Sequence, residues 1–471
     1  MMDLTVAKFG GSAIGEMGAS VPVIVNRIRE MSAGAKVVAV FSAPLTREDG
    51  RRRSLTDVVL AQGGGAERGA KPDLAAVRET YNTILDMVGP GLRDRCRDAV
   101  ESHLGMAREA LEEARRTRTF AGPVRASALG HSGELLMSQV MDHILQGEGL
   151  SAAAVPYDHW PIITDDSPEF ANFLVSEARR SMDRTRALLR EHDVVCIGGF
   201  IGKTKDGTMT TYERGGTDRT AADMAILLHK DYNTSVDWEK DSSVVSADPR
   251  IVESGLTEVE RLSYNEARLA GMFGMKILDP LAIKEIVDNG VDIPLRITDM
   301  WNPARTTTIH HATPRDDGRP IKIVTGKGNC AIMSMEFSLL PRLLYSLESE
   351  RQYGEFALLS PFMRDGTRFA RILFTDGDFV RKNERYLLGF DPLAAITYDR
   401  GAVTLIGDPM LRVQYVASKT CAKIGEAGLN ILNVDAQEEM PGILIIIEDA
   451  GDNLARAVRA VHDGRPNIAS I

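Results

Sequence analysis

Residues Val194 to Leu228 read VVCIGGFIGKTKDGTMTTYERGGTDRTAADMAILL, and the fold is decided there. An apolar run, Val194-Val195-Cys196-Ile197, breaks at Gly198-Gly199, and a second pair, Gly215-Gly216, precedes a segment with helical spacing. Ala221, Met224, Ala225 and Leu228 fall at i, i+3, i+4 and i+7, so a helix is predicted with Thr217 or Asp218 as its N-cap. The order is buried strand, glycine-rich loop, helix. Glycines let a ligand approach the backbone, and the free N–H groups at a helix start favour an anion, so the arrangement suits a phosphate or carboxylate. Arg214 and Asp218 flank the helix start, a fixed cation and a group to orient it. A plain glycine-lined turn between strand and helix would give the same letters.

The N-terminus repeats the device. Leu4-Thr5-Val6-Ala7 leads into Lys8-Phe9-Gly10-Gly11-Ser12, and a helix is expected from about Ser20, with Pro22 in its first turn and Val21, Ile24, Ile28 and Met31 on one face. Two such loops facing each other would hold a polyphosphate from both sides, with Lys8 as the mobile cation. The chain has no G-x-x-x-x-G-K-[ST], and Gly10-Gly11 lacks G-x-G-x-x-G spacing, so neither a Walker loop nor a dinucleotide fingerprint is present.

These motifs resemble the aspartate kinases of the amino acid kinase superfamily. Lys8-Phe9-Gly10-Gly11-Ser12 is similar to K-F-G-G-[TS]-S, and Gly199-Phe200-Ile201-Gly202 to G-F-I-G. Thr210 to Ala222 is similar to T-T-L-G-R-G-G-S-D-Y-T-A-A, Ser246 to Arg250 to T-A-D-P-R, and Gly274 to Pro280 to G-A-K-V-L-H-P. The order of motifs is the family's and spans the chain. The resemblance implies an α/β catalytic domain over 1–305, a mainly parallel sheet sandwiched by helices, followed by α+β ferredoxin-like ACT domains.

Composition sets outer bounds. A chain of 471 residues suggests two or three domains. With 56 basic and 66 acidic residues the net charge is -10, which disfavours nucleic acid and anionic membranes. No apolar run reaches the roughly 18 residues of a membrane span, and the start lacks the basic and apolar regions of a signal peptide. Cys96, Cys196, Cys330 and Cys421 lie far apart, with no C-x-x-C, which fits a reducing cytoplasm. No metal ligand is assigned.

Along the chain, Lys36 to Phe41 (KVVAVF) is a buried strand ending at Ser42-Ala43, and Arg51-Arg52-Arg53 is expected in a solvated loop. Ser54-Leu55-Thr56-Asp57 opens a helix, and Thr56 serves either as its cap or, as the resemblance implies, as a substrate contact. His131-Ser132-Gly133-Glu134-Leu135 resembles S-x-G-E-R-L-S, where Glu134 would bind the substrate's amino group; an exposed carboxylate at a helix start is the other reading. An amino acid needs an anion for its ammonium and a cation for its carboxylate, and Arg214 is the bidentate candidate for the second. His131 has no neighbour at metal spacing and is taken as structural.

Thr234 to Trp238 is the next strand, and there the sequence departs from the family. Where W-T-D-V-D-G-V-Y is usual, Glu239-Lys240 replaces Thr-Asp and Val245 replaces the tyrosine. The resemblance makes these nucleotide-pocket positions, with Arg250 and Lys276 retained as cations. Ser263 and Glu266 form a capping box, and Pro294 to Thr298 is the domain's last strand. From about Lys322 short strands alternate with helices: a degenerate ACT-like domain over 316–392 and a clearer ACT domain over 396–471, where Gly428-Leu429-Asn430-Ile431 matches the characteristic turn. Such pairs build dimers and bind an end-product amino acid, so Asn430 is an effector candidate, with lysine or threonine as effector and a homodimer or homotetramer as the assembly.

The implied reaction is ATP- and Mg²⁺-dependent phosphorylation of L-aspartate to 4-phospho-L-aspartate, the first step toward lysine, threonine and methionine. Lys8 and Asp218 carry the catalytic roles, Thr56, Glu134, Arg214 and Thr217 the substrate contacts, and Gly10, Gly11 and Gly202 line the phosphate path with Lys8. Two alternatives remain: an enzyme of this fold acting on another small carboxylate, and a catalytically degenerate amino-acid-sensing subunit.

Overall fold

The computed structural model describes every residue except 49, 214, 276, 312–319, 348–354, 409, 411–412, 437–440 and 470–471. The chain forms two compact units, Met1–Ser243 with Ala282–Thr308, and Val244–Leu281 with Ile309–Ile471.

The first unit is α/β, as expected. Its sheet contains a continuous parallel run in the order Leu295–Asp299, Asn233–Lys240, Asp3–Phe9, Lys36–Phe41, Val194–Gly198, Ala152–Ala154. Parallel strands need crossovers, and the crossover helices cover both faces, which is why the central strands are apolar on both sides. Ala7, Phe9, Val37, Ala39, Phe41, Val194 and Cys196 share one core with Ile24, Val25 and Ile28 of the helix Val21–Ser32, and Phe9 stacks on Phe41 at 5.5 Å between ring centroids. Alternate residues turn to the opposite face, where the helix Gly216–Leu228 packs against Asp3–Phe9 and Asn233–Lys240.

That helix differs from its expected form in two ways. It starts at Gly216, with Gly215 as N-cap in the left-handed region at φ 99°, so neither Thr217 nor Asp218 caps it. All of its residues are buried, not one face alone, so its polar side chains must find partners inside. The glycine-rich loop before it is also more ordered than a turn: Ile201–Lys203 and Met209–Thr211 pair as an antiparallel hairpin. Arg51-Arg52-Arg53 is solvated as expected, with Arg51 and Arg52 exposed, but it is not a loop: Arg51–Ser54 is a strand paired antiparallel with Leu45–Glu48, and Arg53 meets Glu48.

The second unit is α+β. Six strands form one antiparallel sheet in the order Phe356–Arg364, Thr367–Phe374, Ile323–Glu336, Ala395–Ile406, Gly442–Glu448, Ile431–Ala436. The long central strands Ile323–Glu336 and Ala395–Ile406 pair with each other across register shifts, so the two expected repeats join in a single sheet. Val244–Leu281 belongs to this unit: Ala247 and Val252 share a core with Val324, Val403, Ile445, Val458 and Val461. His462 Nε2 lies 2.9 Å from Ser246 Oγ, and Arg459 donates to the Ile251 carbonyl at 2.9 Å. The capping box forms as predicted; Ser263 N–H donates to Glu266 at 2.7 Å and Glu266 N–H to Ser263 Oγ at 3.1 Å. Lys322 Nζ reaches the same buried Glu266 carboxylate at 3.0 Å.

Candidate functional site

In a parallel α/β sheet the carboxyl ends of the strands form one edge, and ligands bind outside that edge. Lys8 and Asp218, far apart in sequence, meet there, Nζ to Oδ1 at 2.7 Å, both less than a tenth exposed. The strand Asp3–Phe9 delivers Lys8 and the first turn of the helix Gly216–Leu228 delivers Asp218. Two glycines make room for them. A Cβ on Gly10 would stand 2.9 Å from Lys8 Nζ, and one on Gly199 would stand 2.3 Å from Thr217 Cγ2, so side chains at those positions would displace the site.

The neighbouring strand end completes the edge. Ser42 N–H donates to the Phe9 carbonyl at 3.0 Å, and Thr217 Oγ1 donates to Ser42 Oγ at 3.4 Å. Ala43 N–H donates to Glu134 Oε1 at 3.2 Å, while a Cβ on Gly11 would stand 2.8 Å from the Ala43 carbonyl. A Cβ on Gly198 would meet the Glu134 backbone at 2.7 Å. Lys8, Gly10, Gly11, Glu134, Thr217 and Asp218 thus converge, with Ser42 and Ala43 tying them together. Sequence reasoning marked Ser42-Ala43 only as a strand end; the signal available was that this end lies level with Lys8 to Gly10 once the strands are paired.

Glu134 opens the helix Glu134–Gly147 and is buried, not exposed. Burial pushes its carboxyl up to about 7, against the pull of the Ala43 N–H. Such a carboxyl gains its charge most easily when a cation arrives. Below it, Tyr81 OH donates to the Gly133 carbonyl at 3.0 Å.

The remaining expectations fall elsewhere. Gly202 lies in the hairpin, where Thr164 and Thr210 fill the space a Cβ would need, so packing accounts for the glycine. Thr56 sits half-buried in the first turn of Leu55–Glu67, whose N-cap is Ser54. Glu239 is fully buried, and both its oxygens are held by Arg27 at 2.7 and 3.2 Å, so no face of its side chain is open to a nucleotide. Lys240 lies at the strand end near Lys8 and Asp218, and its pKa is pulled to about 8 by burial. Val245 and Arg250 belong to the second unit, where Arg250 is exposed and paired with Asp248. Asn430 is exposed in the turn before Ile431–Ala436. Arg214 and Lys276 lie outside the described residues. His131 pairs with His103, Nδ1 to Nδ1 at 3.0 Å, and burial lowers both to about 4, so they are neutral near pH 7.

Behind Asp218 the same helix buries a second charged set. Arg219 donates to Glu285 Oε1 at 3.0 and 2.5 Å and lies 4.2 Å over the Tyr212 ring, whose hydroxyl donates to Asp223. Burial and the adjacent Glu285 hold Asp223 well above the usual carboxylate range. One guanidinium facing two carboxyls is neutral when one of them keeps its proton, which makes this set a rigid base for the helix start.

Among the described residues no group of three or more His, Cys, Asp and Glu could hold a metal, and no helix is long and apolar enough to cross a membrane. The amino acid kinase family model matches residues 3–299. The chain is 24% identical to aspartokinase 3 of Bacillus subtilis over 98% of both chains. It is also 24% identical to aspartokinase 1 of that organism, over 70% of this chain and 80% of the other. Among solved structures, Escherichia coli aspartokinase III in complex with aspartate and ADP superposes with a TM-score of 0.78 at 18% identity, covering 98% of this chain and 99% of that one. The aspartate kinase of Clostridium acetobutylicum gives 0.69 at 18% identity, covering 98% and 100%. These likenesses establish the fold over the whole chain.

Proposed function

The chain belongs to the amino acid kinase family, and from that premise we propose that it is an ATP-dependent aspartate kinase, transferring the γ-phosphoryl group to the β-carboxylate of L-aspartate. The observation that carries the reading is the Lys8–Asp218 pair at 2.7 Å, set between glycine turns whose missing side chains let Lys8 and Thr217 close on the backbone. The relatives named above are aspartokinases, and one solved neighbour holds aspartate and ADP.

The chemistry asks little else of the protein. A carboxylate is ionised near neutral pH and attacks without a general base. Phosphoryl transfer then depends on alignment and on neutralising charge on the moving group. Lys8 stabilises the transferring phosphoryl group, Asp218 holds Lys8 in place, and Gly10 and Gly11 line the phosphate path. Glu134 receives the substrate ammonium, with Thr217, Thr56 and Arg214 as further substrate contacts. Mg²⁺ in such sites is held by the phosphates with one or two carboxylates, and Asp218 is the carboxylate at hand, so these residues fit it. The bound ion would neutralise charge between phosphates. The product is an acyl phosphate. Lysine or threonine acts on the second unit, with Asn430 among its contacts, and the enzyme works in the cytoplasm as a dimer or tetramer.

Trapping the product as a hydroxamate tests this, with aspartate, glutamate and N-acetylglutamate offered in turn. Aspartate alone should react. Hydroxamate from another carboxylate would reassign the substrate, and none from any would leave an amino-acid sensor.

A further inference from the structure

The helix Gly216–Leu228 carries Asp218 in its first turn, and no side chain caps that turn: the N-cap is Gly215. Two residues after Asp218 hold it instead. Thr220 Oγ1 accepts the Phe200 N–H at 3.0 Å, and Arg219 reaches Glu285 Oε1, on the helix Pro280–Asp288, at 2.5 and 3.0 Å. In the resembling motif position 219 is a tyrosine and position 212 a leucine. Here the aromatic ring stands at Tyr212, and the Arg219 guanidinium lies over it at 4.2 Å.

Two oxygens of this set lack a donor. Tyr212 OH donates to Asp223 Oδ2 and Arg219 donates to Glu285 Oε1, while Asp223 Oδ1 and Glu285 Oε2 are buried and meet no hydrogen-bond donor among the described residues. The two carboxyls interact with each other, which brings the two orphaned oxygens into one contact. Ionised carboxyls only accept, and two buried acceptors facing each other repel. A proton on Asp223 Oδ1 turns that oxygen into a donor to Glu285 Oε2 and leaves neither unmet. The four side chains then close a ring: Tyr212 to Asp223, Asp223 to Glu285, Glu285 to Arg219, and Arg219 back over the Tyr212 face. The other charges on these two helices are engaged elsewhere, Asp218 with Lys8 and Lys284 with Asp288.

We propose that Arg219 and Glu285 are positioning residues for phosphoryl transfer, joined through Asp223 and one shared proton into a ring that fixes the first helical turn where Asp218 grips Lys8. This rests on the kinase reading above and adds to it residues that act only through the placement of Asp218. Misplacing Asp218 releases Lys8 from the line of transfer. A small displacement of such a group slows the chemical step while ground-state binding is largely kept.

Amide substitutions in the full chain test the ring, because an amide N–H can replace the shared proton once and not twice. In Asp223→Asn the amide donates to Glu285 Oε2, and in Glu285→Gln it donates to Asp223 Oδ1, so each variant keeps one carboxylate beside Arg219. Each should melt within about 3 °C of wild type and keep kcat within about threefold. The double amide variant leaves Arg219 buried without an anion; it should melt about 10 °C lower and, well below that temperature, show kcat reduced about tenfold. Arg219→Met should also lose about tenfold in kcat, with the KM values for aspartate and MgATP within about threefold of wild type, and Arg219→Lys, which keeps a cation for Glu285 Oε1, should recover most of the loss. A single amide variant that melts well above wild type, or as low as the double one, overturns the shared proton. Arg219→Met or the double variant with unchanged kcat, or with KM raised as much as kcat falls, overturns the positioning role. If wild type forms no acyl phosphate from any carboxylate, the kinase reading fails and the positioning role with it, while the melting comparison still decides the ring.

Discussion

Replacing Glu134 by glutamine sets substrate binding against stability at a single atom. In the folded protein burial holds this carboxyl at about 7, against an ordinary value of 4.5. A carboxyl raised on folding stabilises the native state fully below the unfolded value, and that contribution is lost as pH rises through the folded one. At about 1.4 kcal/mol per pH unit, the difference amounts to about 3 kcal/mol of stability missing at pH 8 relative to pH 4. Glutamine keeps the shape and can still accept the Ala43 N–H, but carries no charge to be buried. Glu134→Gln should therefore raise the melting temperature at pH 8, with the gain vanishing near pH 5. Binding should move the other way, because only the ionised carboxylate attracts an ammonium. With a pKa of about 7, the wild-type KM for aspartate should rise about tenfold between pH 8 and pH 6, and Glu134→Gln should show a high KM with little slope over that range. Thermal melting and initial-rate kinetics at matched pH check both arms. A Glu134→Gln protein less stable than wild type at pH 8, or one that keeps the pH slope of the aspartate KM, would refute the assignment.

Other expectations are simpler. Lys8→Ala should cut turnover well beyond tenfold, about 1.4 kcal/mol of barrier, in the hydroxamate assay; a smaller loss would mean that Lys8 does not meet the transferring group. Arg27→Met strands a fully buried Glu239 and should cost about 3–5 kcal/mol in urea unfolding at pH 8, less at pH 5 where Glu239 takes up a proton. Equal loss at both pH values would place the effect in packing instead of charge. Asn430→Ala should blunt inhibition by lysine or threonine without changing uninhibited turnover, measured as the inhibitor concentration at half activity; an unchanged response would remove Asn430 from the effector site. A chain cut near residue 316 should yield aggregated or unfolded protein in a solubility and melting assay, and a cut chain melting like wild type would contradict the packing of Val244–Leu281.

The sheet edge where Lys8 and Asp218 meet was legible from sequence because its parts are local. Each glycine turn follows its own strand within a few residues, and Lys8 and Asp218 are tied to those turns by spacing alone, so both could be named before their 2.7 Å contact was seen. Helix starts and strand runs followed for the same reason, since apolar periodicity is set by the element itself. What was missed depends on partners distant in sequence. Which of Glu239 and Lys240 shares the face of Lys8 is a question of register against Asp3–Phe9, and only the pairing answers it. Arg27 gave no sign of being the partner of Glu239 because the two are separated by most of the unit. The hairpin Ile201–Lys203 with Met209–Thr211 was hidden because its strands are too short to show alternation.

The segment Val244–Leu281 shows most clearly where a linear reading ends. Its motif residues Ser246 to Arg250 resemble a nucleotide-site string, which assigns them by sequence to the catalytic domain. Their packing follows different forces: Ala247 and Val252 are apolar side chains that bury against Val324, Val403 and Val458, and Ser246 meets His462. Burial of apolar area is not directional and takes whichever surface is complementary, whereas a motif records only what a ligand would need. Any rearrangement of the C-terminal helix Asn453–Ala469 must then either carry Ser246 and Ile251 with it or break the bonds from His462 and Arg459. The residues that resemble part of a nucleotide site are therefore mechanically part of the C-terminal unit, a coupling that their sequence alone does not disclose.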